Sequence, residues 1–129
     1  MDTMSISVAT IRHATSVADA RENTRDFLEA LVPAMAAETA DSVLLVVSEL
    51  VTNALRHGGG TYALDLTARP DSIEVAVQDG SPQVPRMRTP DLNGGTGGFG
   101  WPMVTRLARA TAITRQKTGG KTVSALLPR

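Results

Sequence analysis

Three observations predict an α+β fold, a two-layer α/β sandwich with helices on one face of a mixed, mostly antiparallel sheet. The chain alternates segments of helical and strand periodicity in the order strand, helix, helix, strand, strand, loop, helix, strand, strand. The consecutive strands are separated by tight turns, which favours antiparallel pairing. The composition, 42% hydrophobic and 20% charged, is that of an ordinary globular domain, and 129 residues suffice for a single domain with its own core.

Taken in order, residues 1–3 read as a loose start, and residues 5–13 alternate enough, through Ile6, Val8 and Ile11, to form a first strand. Ser16 can cap a helix running to about Leu31, with Ala20, Phe27, Leu28 and Leu31 apolar and Pro33 as its stop. Residues 38–57 form the second helix. Within it, 41–57 contain no proline or glycine, and Val43, Val47, Leu50, Val51 and Ala54 share one face, with Leu44 and Leu55 at its edge. Strands follow at 62–68 and 72–79, joined by the turn Arg69-Pro70-Asp71. Residues 80–98 are a loop rich in proline and glycine. A third helix runs from 101 to about 109, with Pro102 tolerated in its first turn. Strands at 111–116 and 122–127 close the chain around Gly119-Gly120.

Composition excludes several classes of function. Without cysteine there are no disulfides, no thiol catalysis and no thiolate-bound metal. No apolar run is long enough for a bilayer and no charged-then-apolar leader is present, so a cytoplasmic, membrane-free protein is expected. Only Phe27, Tyr62, Phe99 and Trp101 are aromatic, so the core must be aliphatic. Net charge is zero, yet no acidic residue follows Asp91, whereas Arg106, Arg109, Arg115, Lys117, Lys121 and Arg129 do. That basic third suits nucleotide phosphates, a nucleic acid or an acidic protein surface, or is solvated charge balancing the acidic N-terminal half. No arginine–aromatic interleaving points to RNA.

Candidate chemistry gathers at three places. On the second helix, Glu49, Thr52, Asn53, Arg56 and His57 lie opposite the apolar face, and Glu49, Asn53 and His57 stack at i, i+4, i+8 before Gly58-Gly59-Gly60. The stripe offers a potential base, a neutral oxygen ligand and an imidazole, or is simply the wet side of an amphipathic helix. His57 is too isolated from other imidazoles for a metal site, and His13 reads as a surface residue. In the strand 72–79, alternation puts Asp79 on the side of Ile73, Val75 and Val77. Asp79 is then either a ligand-binding acid at a pocket floor or the cap of the following turn. The loop Asn93-Gly-Gly-Thr-Gly-Gly-Phe-Gly100 holds five of the eleven glycines just before a helix N-terminus. It is a mobile loop, a phosphate-binding lid, or both. Its Gly95-x-Gly97-x-x-Gly100 is no dinucleotide fingerprint, since no strand leads into it and no acid follows, and a P-loop lysine is missing. Gly119-Gly-Lys-Thr122 reads alone as a plain hairpin opening the last strand.

In this order, the pieces resemble the Bergerat-type ATP-binding domain shared by gyrase, heat-shock chaperones, sensor histidine kinases and mismatch-repair ATPases. Small size, a short lid and Ser48-Glu-Leu-Val-Thr-Asn-Ala-Leu-Arg-His57 look most like the anti-sigma-factor serine/threonine kinases and their actinobacterial relatives. The resemblance spans about residues 5–127. It implies that Asn53 ligates Mg²⁺ and that Glu49 is the general base. By the same resemblance His57 lies near the phosphates and Asp79 takes the adenine amine. Gly98 and Gly100 hold phosphate oxygens, and Thr122 reaches the adenine side through water. The family's usual Asp-x-Gly-x-Gly is here Asp79-Gly-Ser81-Pro-Gln83, so Ser81 and Gln83 would reshape the adenine floor. Phe99 replaces a frequent basic residue in Gly98-Phe-Gly100-Trp101-Pro102, removing one phosphate contact.

The expected function is therefore a regulatory kinase using ATP and Mg²⁺. It would phosphorylate a serine or threonine of a small antagonist protein (an anti-anti-sigma type) and bind a sigma factor or similar partner. A possible homodimer is implied by the same relatives. The altered glycine motifs support an alternative, a catalytically silent ATP/ADP-sensing interaction module. A detached histidine-kinase catalytic domain is weaker, because no dimerisation helix pair is present. Direct nucleic-acid binding through the basic third is not expected.

Overall fold

The computed structural model describes residues 6–11, 16–57, 61–81, 100–117 and 119–129. Its elements are β1 (Ser7–Ile11), α1 (Val17–Glu29), α2 (Ala37–His57), β2 (Tyr62–Ala68), β3 (Ser72–Asp79), α3 (Gly100–Leu107), β4 (Ala110–Arg115) and β5 (Lys121–Pro128). This is the expected order. The strands form one sheet in the order β1-β2-β3-β5-β4, and every pairing is antiparallel. β5 lies between β3 and β4, which leaves β4 at an edge, with all six of its residues exposed.

Strand alternation divides the sheet into two faces. Leu64 and Leu66 of β2, Ile73, Val75 and Val77 of β3, and Val123, Ala125 and Leu127 of β5 are buried together beneath the helices. The register stacks them in rows, with Leu64 opposite Val77 and Val77 opposite Val123. Ala63, Asp65, Thr67, Ala76, Ser124 and Leu126 take the other face and remain partly exposed. On that face Thr10 Oγ1 donates to Asp65 Oδ1 at 2.8 Å.

Two helices position the rest. Ser16 caps α1, its Oγ accepting from the Asp19 N–H at 3.0 Å, so one orphan donor of the first turn is satisfied. α1 buries Ala20, Thr24 and Leu28, and the Thr24 hydroxyl bonds back to the Ala20 carbonyl at 2.7 Å. α2 is the central helix, packing on α1, α3, β2, β3 and β5. That position requires a broad apolar face: Val43, Leu44, Val46, Val47, Leu50, Val51 and Ala54 are all buried. Val46 lies outside the stripe the sequence predicts; a helix covered on both flanks buries more than one stripe.

Candidate functional site

The last described residue of α2 is His57, and β2 begins at Tyr62. Five residue steps reach at most roughly 18 Å. The end of α2 therefore lies within that distance of the sheet end where Tyr62 of β2, Asp79 of β3 and Lys121 of β5 stand side by side in register. Tyr62 is buried on the helix side and its hydroxyl donates to the Ser16 carbonyl at 3.4 Å, tying the start of α1 to this end. Burial, and secondarily the negative charge of Asp19, pushes the Tyr62 phenol above its ordinary pKa.

Glu49 and Asn53 occupy one stripe of α2, a turn apart, and both are half-buried. Neither side chain makes a hydrogen bond to another described residue. Glu49 is close to the first residue of α3: a methyl group at Gly100 would run into Glu49 Oε2 and stand 3.2 Å from its Cδ. A glycine is thus needed there for the carboxylate to sit where it does. Burial raises the Glu49 pKa above the ordinary carboxylate value, opposed by the positive charge of Arg56. A carboxylate whose pKa is raised by burial is a stronger base once ionised, which suits it to taking a proton. His57, at the end of the stripe, is exposed.

Asp79 lies in the buried row, as alternation predicts, and the turn-capping reading of it is realised. Its Oδ1 accepts the Ser81 N–H at 2.8 Å, which caps the turn leaving β3. The carboxylate is nevertheless inside, and its main partner is Lys121. The ammonium donates to Oδ1 at 3.0 Å and to Oδ2 at 2.9 Å, and also to the Ser81 carbonyl at 3.3 Å. The two side chains are only 4% and 3% exposed. Such a pair offsets its own desolvation through geometry, and removing one partner typically costs about 3–5 kcal/mol. Gly120 makes the close approach possible, since any side chain there would strike the Asp79 carbonyl and lie 3.2 Å from Gly80 Cα.

Lys121 was not among the expected site residues; Thr122 was, and its placement is corrected. Thr122 pairs with Gln78 and so points to the opposite face from Asp79, where its hydroxyl accepts from Gln116 Nε2 at 2.7 Å. The signal was present in the sequence. Val123, Ala125 and Leu127 share a parity with Lys121, so the alternation that places Asp79 on the core side places Lys121 there too. Ser81 joins the site through its backbone N–H and carbonyl. Gly98, Gln83 and Phe99 lie outside the described residues, as does the glycine tract up to Gly100.

Residues 12–126 match the profile of the histidine kinase-like ATPase domain, so the chain belongs to that family. The structure is similar to a crystal structure of the RsbU and RsbW domains of Rv1364c from Mycobacterium tuberculosis. The TM-score is 0.69 at 16% sequence identity, over 95% of this chain and 33% of that one. The present chain thus spans about a third of the chain it matches, and the likeness is one of fold. No curated protein matches it. No helix among the described residues is long and apolar enough to cross a membrane.

Proposed function

We propose that this is an ATP-binding regulatory protein of the anti-sigma type, a kinase that transfers the γ-phosphate of ATP to a serine or threonine of a small antagonist protein. In its alternative state it binds a sigma factor or a similar partner. The observation that carries the reading is the pair Glu49 and Asn53. They are a turn apart, half-buried and without hydrogen bonds to other described residues, and Glu49 abuts the first residue of α3. Asn53 supplies a neutral oxygen for Mg²⁺, an ion that prefers few protein ligands together with phosphate oxygens and water. That suits a site where no three acidic or imidazole groups cluster among the described residues. The α3 N-terminus offers N–H groups and partial positive charge to phosphate, and the family resemblance assigns Gly98 and His57 to the phosphates as well. Glu49 takes the proton of the acceptor hydroxyl. The remaining rate enhancement is positioning and charge neutralisation.

A second reading has one observation in its favour. Ser81 and Gln83 stand where the usual motif Asp-x-Gly-x-Gly has glycines, which fits a protein that senses ATP or ADP without turnover. Incubation with candidate antagonists and ATP labelled in its γ-phosphate separates the two. A kinase labels the antagonist, and Glu49→Ala abolishes labelling while nucleotide still binds. Binding without any labelled protein would leave the sensor.

A further inference from the structure

β4 forms one edge of the sheet, and among the described residues no strand pairs with its outer side. The hydrogen bonds at its two ends fix which residues face outward. At one end the Gln116 N–H donates to the Gly120 carbonyl at 2.8 Å, and at the other the Arg109 N–H donates to the Leu126 carbonyl at 2.7 Å. Residues of an antiparallel ladder alternate between hydrogen-bonded and non-bonded pairs. The register therefore gives Thr114 with Thr122 and Ala112 with Ser124 to the β4–β5 ladder. Thr111, Ile113 and Arg115 turn their backbone N–H and C=O groups away from β5. Such a row is a template for another strand. Between Thr111 and Thr114 there is neither proline nor charge to blunt it.

We propose that this edge receives an extended acidic segment of a partner protein, which adds to the sheet as a further strand beside β4. Charge selects the occupant. Arg109 and Arg115 bracket the strand and Lys117 follows, all three exposed, and no acidic residue occurs after Asp91. A second copy paired along the same edge would bring the arginines of one chain against those of the other, which like charge disfavours. The opposite edge, β1, has no charged residue and offers no such selection. Ile113 lies on the helix side of the sheet, level with Val123, yet is 37% exposed. A β-branched side chain on the added strand would cover it. A nucleic acid would answer the cations but leave the row of N–H and C=O groups without partners. The surface does not depend on the nucleotide-binding reading.

NMR titration of the full chain with the peptide Glu-Glu-Thr-Val-Thr-Val-Thr-Glu-Glu tests this. The peptide reads alike in both directions and so samples either strand polarity. It is expected to bind and to slow amide exchange at Thr111, Ile113 and Arg115, with little change at Ala112 and Thr114, which already donate to β5. Replacing both valines by proline keeps the charge and removes strand donors. Replacing the glutamates by lysines keeps the donors and inverts the charge. Each change is expected to weaken binding about tenfold or more. Arg115→Glu, at an exposed position, is expected to keep the melting temperature and to shift the preference toward the lysine peptide. The proposal is overturned if the glutamate peptide does not bind, if either altered peptide binds as well, or if the new protection falls on other residues. Equal or tighter binding of a single-stranded oligothymidylate at these residues would make the edge a nucleic-acid contact and overturn it too.

Discussion

Glu49 holds its proton more tightly in the folded chain than in the unfolded one, because burial outweighs the attraction of Arg56. With a folded pKa above the ordinary 4.5, the stability linked to this group is full below that value and is lost as pH rises through the folded pKa. At neutral pH the partly desolvated carboxylate is therefore a cost to the fold, consistent with a residue kept for chemistry. Glu49→Gln is expected to raise the melting temperature at pH 7 and to leave it unchanged at pH 4. Equal destabilisation at both values would mean that the carboxylate serves the fold instead. Lys121 behaves oppositely. Lys121→Met strands Asp79 and should cost about 3–5 kcal/mol, whereas Asp79→Asn with Lys121→Met should recover most of that loss. Additive losses in urea unfolding of the two single variants and the double variant would show that the pair is not coupled.

Two glycines at the ends of elements make opposite demands. At Gly100, the start of α3, an added methyl meets the tip of the Glu49 side chain, which can rotate away. At Gly120, just before β5, it meets the Asp79 carbonyl, which is held in the β3–β5 ladder. Gly100→Ala should thus keep the melting temperature but displace Glu49 and depress phosphoryl transfer. Gly120→Ala should destabilise the fold by about 1–3 kcal/mol, because backbone cannot move as cheaply as a side-chain end. Thermal melts of both variants check the contrast, and the reverse order of stability would contradict it.

Across the whole molecule, the element order was legible because each helix and strand keeps its own period. The second helix ends at His57 as expected, and the strands 62–68 and 72–79 coincide with β2 and β3. What periodicity could not show is how many neighbours a helix has, which is why Val46 of α2 escaped the predicted face. The stripe of Glu49 and Asn53 was visible from spacing alone. That it is half-buried beside Gly100 became visible only with α3 folded against α2. Thr122 follows Gly119-Gly-Lys121 as its motif requires, but it takes the face opposite Asp79. Alternation along β5 would have pointed to Lys121.

The central claim is that this stripe is the Mg²⁺-facing wall of a nucleotide site at one end of the sheet. Titration calorimetry with ATP, with and without Mg²⁺, on the natural chain and on Asn53→Ala tests it most directly. The account predicts binding that strengthens when Mg²⁺ is present, and its loss in the variant. An affinity for Mg²⁺-ATP that is the same in Asn53→Ala as in the natural chain would contradict it.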